Sequence, residues 1–259
     1  MKIIASDYDG TLRRHHGIEQ KDRDAVKAWR GSGNLFGVVT GRDEPFIKHM
    51  VAEDKLEIDF IIIYNGADIY EFDGDRPALV KRILGESDRL HEMLPLILRK
   101  TGDWAEFVTP GGNYYFTYGD ERGGKGLSGD SRSNWFKAEA LRDVREFTQI
   151  YALYETEGEA LEVARCLSEG FGGDVSPLVN GSWLNVAPAG VTKATGVLEY
   201  AKLKSVSKQN IYAIGDSYND LAMIREFNGF TLDNGADALK KIARAVYAGV
   251  WELVHSFND

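Results

Sequence analysis

The chain has 259 residues, 43% of them hydrophobic and 27% charged, enough for a sizeable core in one large domain or two modest ones. Its formal net charge of −9, from 31 basic and 40 acidic residues, argues against DNA or RNA as a partner, which demands a basic face, but not against a small anionic substrate. No apolar run reaches membrane-spanning length, Met1-Lys2 leads straight into a strand with no targeting segment, and the single cysteine, Cys166, makes no internal disulfide, so a cytoplasmic location is expected.

The first element is an apolar run, Ile3-Ile4-Ala5-Ser6, that reads as a buried strand and stops at Asp7-Tyr8-Asp9-Gly10-Thr11, with Gly10 as the turn. Residues i and i+2 of an extended segment share a side, so Asp7 and Asp9 present two repelling carboxylates at a strand end, where open α/β sheets bind ligands. A hard cation such as Mg²⁺ relieves that repulsion through oxygen ligands. An Asp-rich turn without a site is the plainer alternative. Residues 19–30 follow as an amphipathic helix with Ala25, Val26 and Trp29 inward. Residues 35–39 form a second buried strand ending in Thr40-Gly41-Arg42, residues 44–54 a helix, and residues 59–64 a third strand. Strand, helix, strand, helix, strand is the pattern of a parallel α/β sheet.

Asn65-Gly66 then reads as a tight hairpin turn into a strand over 67–72, so the texture becomes antiparallel. Residues 87–100 read as a helix, 107–108 and 114–118 as strands, 119–133 as a Gly- and Ser-rich loop and 134–143 as a helix. Residues 147–154 form a strand, 157–169 a helix, and 174–179 with 182–186 a hairpin turning at Asn180-Gly181. The parallel pattern resumes with a helix over 192–204 and a strand over 210–214 that ends in Gly215-Asp216-Ser217-Tyr218-Asn219-Asp220. A strand at 229–232 and helices at 236–243 and 250–257 finish the chain. The expected fold is α/β: a three-layer, Rossmann-like parallel-sheet core made of residues 1–82 and 187–259, with an α+β domain of residues 83–186 inserted.

Asp7-x-Asp9, Thr40, Lys193 at a helix start, and Asp216 with Asn219 and Asp220 fall at strand ends or helix starts on one side of that sheet. Phosphoryl transfer needs these residue types, because it is mostly positioning and stabilisation of charge spread over three oxygens. A carboxylate can be the nucleophile, a second can move the proton, a hydroxyl and an ammonium can hold oxygens, and further carboxylates can hold Mg²⁺.

Asp-x-Asp-Gly-Thr, Thr-Gly-Arg, a lone downstream lysine and Gly-Asp-x-x-Asn-Asp, in that order, resemble the four motifs of the haloacid dehalogenase superfamily of phosphatases. The insertion between the second and third motifs, and the tripeptide Asn65-Gly66-Ala67 before it, resemble the Cof-type branch with a large α+β cap. The resemblance implies a Mg²⁺-dependent phosphatase working through an aspartyl-phosphate on a small phosphorylated metabolite such as a sugar phosphate. It makes Asp7 the nucleophile and a metal ligand. Asp9 becomes the general acid/base, lending its backbone carbonyl to the ion. Thr40, Gly41, Lys193 and Asn219 bind the phosphate, and Asp216 binds the metal. Asp220, Arg42 and Asn65 support that set. A monomer is the working expectation, with the oligomeric state open. Tyr8 departs from the commoner Leu or Met and is read as packing. The segment Leu232-Asp233-Asn234-Gly235-Ala236 only partly fits the family's final loop. A phosphomutase or phosphotransferase on the same core, or a phosphometabolite-binding regulator without chemistry, are the other two readings.

Other features carry less. Gly119 to Gly126 nearly spells a nucleotide-binding P-loop, but Gly126 stands where a Ser or Thr must reach Mg²⁺. Tyr114, Tyr115 and Tyr118 read as sheet packing, and His15 and His16 as solvated loop residues beside the first motif.

Overall fold

The structure is a computed structural model that describes residues 1–14, 17–99, 104–117 and 138–257. His15, His16, Tyr118, the P-loop-like segment and the loop over 119–133 lie outside the described residues. The chain divides into two compact units, Met1–Arg82 with Val191–Asp259, and Ile83–Gly190.

The first unit opens with β1 (Ile3–Ser6), α1 (Gln20–Gly31), β2 (Leu35–Val39), α2 (Glu44–Asp54) and β3 (Phe60–Ile63), then β4 (Asp68–Asp73) and β5 (Arg76–Arg82). The second contains β6 (Gly85–Glu86), α3 (Leu90–Ile97), β7 (Trp104–Thr109), β8 (Gly112–Thr117), β9 (Glu146–Phe147), β10 (Gln149–Leu153), α4 (Glu157–Phe171), β11 (Val175–Asn180) and β12 (Trp183–Pro188). The first unit resumes with α5 (Lys193–Leu203), β13 (Ile211–Gly215), α6 (Leu221–Glu226), β14 (Asn228–Leu232), α7 (Asp237–Lys240), β15 (Val246–Tyr247) and α8 (Val250–His255).

One eight-stranded sheet runs through the first unit in the order β15-β14-β13-β1-β2-β3-β4-β5. From β15 to β3 every pairing is parallel, and β4 and β5 add antiparallel strands at one edge. Strand β1 sits at the centre because it is apolar on both faces; Ile3, Ile4 and Ala5 are completely buried. On one face Ile3, Ala5, Phe60, Ile62 and Ala213 pack against α5, α6 and α7. On the other, α1 lies against β2 and α8, with Trp29 ringed by Tyr212 and Phe257. Helix, sheet and helix make the three layers of an α/β fold. Buried Asp22 on α1 takes a backbone N–H of α8 from Trp251 and a guanidinium from Arg14, tying the two helices together.

Three local expectations differ. The connection after β3 is not a two-residue hairpin: Ile63 pairs with Asp68, leaving four residues, 64–67, in the turn. Its backbone N–H groups at Tyr64 and Asn65 reach the carbonyls of Arg42 and Thr40, so it is shaped by the neighbouring loop rather than by the hairpin itself. Residues 138–143, the described part of the expected helix over 134–143, form a 3₁₀ turn. The helices expected over 87–100, 236–243 and 250–257 are shorter than the pattern indicated, with α3 confined to Leu90–Ile97, α7 to Asp237–Lys240 and α8 to Val250–His255.

In the second unit a five-stranded antiparallel sheet, β11-β12-β10-β7-β8, packs one face through Phe107, Ile150, Leu184 and Val186 onto α3 and α4. By strand alternation the opposite face carries Trp104, Glu106, Gln149, Tyr151 and Trp183. Strand β12 runs to Pro188, and the unit ends at Gly190.

In the first unit, the turn after β3 meets the start of α5 backbone to backbone. Gly66 has φ +120°, and a Cβ there would lie 2.1 Å from the Thr192 carbonyl oxygen; a Cβ on Gly196 would lie 2.8 Å from Gly66. Gly196→Ala is therefore expected to cost about 1–3 kcal/mol of stability, as overpacking does. Gly66→Ala should cost more, because it adds left-handed strain. Gly173→Ala, which meets nothing within 4 Å, should leave the denaturant midpoint unchanged. Equal midpoints for Gly196→Ala and Gly173→Ala would refute the close contact.

Candidate active site

Four chain segments converge at the carboxyl ends of β1, β2 and β13 and at the first residue of α5. Thr192 caps that helix with a reciprocal capping box to Thr195, which sets Lys193 at the helix start. Its side chain runs inward and is 1% exposed. The ammonium donates to Asp7 Oδ1 at 2.5 Å and to Asp220 Oδ1 at 2.6 Å. Burial works against its charge, but the two carboxylates outweigh burial and raise its pKa, so it remains an ammonium ion.

Each carboxylate has its own holder. Asp220 Oδ2 accepts the backbone N–H groups of Asp216 and Ser217, both at 3.0 Å, in the 3₁₀ turn Tyr218–Asp220. Asp216 Oδ1 accepts the Thr11 hydroxyl at 2.5 Å, and its carbonyl accepts Ala236 N–H at 2.9 Å. Gly10, at φ +86°, makes room: a Cβ there would lie 2.4 Å from Asp216 Oδ2. Asn234 closes the arrangement from the C-terminal side by donating to the Gly10 carbonyl at 2.9 Å. Thr11 stood within the first motif without an assigned role. Asn234 lies in the segment that only partly fits the family pattern, so only the structure reveals its part.

One oxygen from each of Asp7, Asp216 and Asp220 falls within 4.8 Å of the others. Burial raises the pKa of Asp7 well above the usual range, opposed by Lys193 and reinforced by Asp220 and Asp216. Burial likewise raises Asp216. Three carboxylates against one ammonium leave two formal negative charges in a largely buried site. A hard divalent cation fits both that charge and those oxygen donors. Both Asp220 oxygens are already engaged, so Asp7 and Asp216 are the carboxylates with capacity to hold it.

Asp9 takes a different course from Asp7. Its carboxylate receives Arg42 in a bidentate pair, Nε to Oδ2 at 2.9 Å and Nη2 to Oδ1 at 2.8 Å, with both side chains about half exposed. Arg42 also lies over the Phe46 ring, 5.2 Å from its centroid. Thr40 is buried, and its hydroxyl accepts the Arg42 N–H at 3.2 Å. Asn219 approaches Asn65, Nδ2 to Oδ1 at 3.5 Å. Tyr8 turns to the α2 side, where it meets Phe46 edge-on and donates to the Asp54 carboxylate. The structure thus brings Asp7, Lys193, Asp216 and Asp220 into one cluster, with Asp9–Arg42 and Asn65–Asn219 as two further pairs.

Residues 4–250 match the profile of the haloacid dehalogenase-like hydrolases, and the chain belongs to that family. It is 26% identical over 251 residues to the 5-amino-6-(5-phospho-D-ribitylamino)uracil phosphatase YcsE of Bacillus subtilis, covering 94% of this chain and 88% of that one. A haloacid dehalogenase-like hydrolase from B. subtilis superposes with a TM-score of 0.79 at 19% identity, covering 98% of this chain and 99% of the other. A sugar phosphatase of haloacid dehalogenase subclass IIB superposes at 0.75 and 18% identity, covering 100% and 99%.

Two outcomes follow from the cluster. Lys193→Met leaves Asp7 and Asp220 buried without their cation, and stability without added metal should fall by about 3–5 kcal/mol at pH 7. Burial places the folded Asp7 pKa above its unfolded value near 3.8, so protonation favours the folded state. The deficit should therefore shrink on acidification and grow as pH rises through the raised pKa; a pH-independent deficit in urea titrations would contradict it. Thr11→Val removes the donor to Asp216, and divalent-cation affinity by calorimetric titration should fall by about 10–100-fold.

Proposed function

We propose that this hydrolase is a Mg²⁺-dependent, Cof-type phosphatase that releases phosphate from a small phosphorylated metabolite through an aspartyl-phosphate on Asp7. One observation carries the reading: a buried ammonium, Lys193, touches Asp7 while Asp216 stands beside it, leaving an acidic pair matched to a divalent ion. The family match and the curated relative support phosphomonoester hydrolysis.

In this mechanism the Asp7 carboxylate attacks phosphorus as the bond to the leaving oxygen breaks. Asp9 gives that oxygen its proton, then takes one from the water that hydrolyses the aspartyl-phosphate. Lys193 offsets the charge of nucleophile and phosphate. The Thr40 hydroxyl, the Gly41 N–H and the Asn219 amide hold the oxygens that do not transfer. Asp7, Asp216 and the Asp9 carbonyl would hold Mg²⁺, which when bound acts as a Lewis acid and screens nucleophile from phosphate. Asp220 orients Lys193 and the backbone after β13, Arg42 steadies Asp9, and Asn65 braces Asn219.

Substrate choice is assigned to the second unit, acting as the cap. Trp104 and Trp183, on the face of its sheet away from α3 and α4, are aromatic surfaces of the kind that pack against sugars or heterocycles. A sugar phosphate fits that chemistry, as does a phosphorylated ribityl compound of the kind the relative's name states. A reducing, cytoplasmic setting suits a chain with one cysteine.

The test is release of inorganic phosphate from a panel of phosphomonoesters that includes sugar phosphates and 5-amino-6-(5-phospho-D-ribitylamino)uracil. Turnover should vanish on chelation and return with Mg²⁺, and Asp7→Asn should lower kcat by at least about 10³-fold, as removal of a nucleophile does. Full activity in Asp7→Asn, or turnover indifferent to chelation, ends the reading.

A further inference from the structure

We propose that the Asn65 side-chain amide is itself a donor to the substrate's phosphoryl oxygens, which makes the turn after β3 part of the phosphate pocket rather than a brace behind it. The inference rests on the phosphatase reading and deepens it.

Asn65 is 1% exposed, and its Nδ2 is buried with no hydrogen-bond partner among the described residues. Its Oδ1 is the atom that faces Asn219. Burying an amide N–H unpaired costs free energy that folded chains rarely leave unmet, so the group calls for an acceptor from outside the chain. None of the nearby carboxylates bonds to it: Asp220 is engaged at both oxygens by Lys193 and two backbone amides, and Asp7 and Asp216 turn to Lys193, to Thr11 and to the place assigned to the cation.

The placement identifies what the acceptor is. A Cβ built on Gly41 would lie 3.0 Å from Asn65 Oδ1 and 3.1 Å from Nδ2, so the amide occupies the side-chain space of the Thr40-Gly41-Arg42 loop. The Asn65 N–H is bonded to the Thr40 carbonyl at 3.0 Å, and Asn219 reaches the same amide from the loop after β13. Asn65 thus stands between the two loops that contribute phosphate donors. The chain accepts strain to hold it there: Tyr64 and Asn65 both have φ +53°, and a tyrosine in the left-handed region is an outlier. A phosphate oxygen is an anionic acceptor and makes the stronger, charge-assisted bond with such a donor.

Two substitutions separate the amide from the backbone it sits on. Asn65→Gly keeps the left-handed turn without steric penalty and removes the amide. Asn65→Asp keeps the shape, and Asp also tolerates that region, but it replaces the donor with a carboxylate that repels phosphate. The probe is inorganic phosphate as a competitive inhibitor of the full-length enzyme with Mg²⁺, read with KM, kcat and the unfolding midpoint. Loss of one charge-assisted bond should raise the phosphate inhibition constant by about 10–100-fold in Asn65→Gly and further in Asn65→Asp. KM should rise in parallel. An inhibition constant within about twofold of wild type in Asn65→Gly, less than one hydrogen bond supplies, overturns the inference: the amide then only shapes the turn or holds a water. If Asn65→Gly does not fold, Asn65→Asp decides by the same criterion. A wild-type protein that neither releases nor binds phosphate fails at the earlier step and removes the phosphatase reading as well.

Discussion

The contact on which the site depends is the one between the Lys193 ammonium and the carboxylates of Asp7 and Asp220. Taking any of these charges out of water alone is prohibitive, and the pairing makes their burial tolerable only if the geometry is tight and the remaining lone pairs are satisfied. That condition reaches outward. Asp220 must be fixed by the backbone N–H groups after β13, Asp216 by Thr11, and Lys193 by the cap of its own helix. Residues 7, 193 and 216–220 are remote in the chain, yet none can shift without exposing a partner.

Glycine is what lets these segments come so close. At Gly10 the turn gives its side-chain space to the Asp216 carboxylate, and at Gly66 the turn after β3 abuts the carbonyl of Thr192, one residue before the lysine. Close approaches at these glycines therefore keep short the spans that the Lys193 side chain bridges to Asp7 and Asp220. That is the condition under which preorganised charge stabilises a transferring group most effectively.

This explains which parts of the molecule were legible in the amino-acid order. Buried parallel strands are apolar throughout, so Ile3–Ser6, Leu35–Val39 and Phe60–Ile63 declared themselves, and the polar residues at their ends stood out by contrast. Strand β5 carries no such signal: it is an edge, charged and largely exposed, and includes Pro77. Strand β15 is too short to show any period. Asp22 on α1 reads as a surface acid of an amphipathic helix, yet it is fully buried because Arg14 and the first turn of α8 come to it from elsewhere in the chain. Asn65 is legible as a turn residue; its orphaned amide is not, because that depends on what Gly41 and Asn219 do in space. Local pattern reports the elements, while partnership across the chain has to be seen.

The two carboxylates of the first motif make the same point about chemistry. Asp7 and Asp9 are two positions apart and chemically identical, so spacing alone cannot divide labour between them. Their surroundings can. Asp7 is enclosed with an ammonium and two further carboxylates, where buried anions must be matched by cations. Asp9 lies half exposed in a bidentate pair with a guanidinium. Environments that differ this much give one residue type two different chemistries. The difference is created by Lys193 and Arg42, one from the helix after the second unit and one from the loop after β2. The partners that differentiate two adjacent aspartates therefore lie on separate segments, and the paired motif acquires its chemistry only when the chain has folded around it.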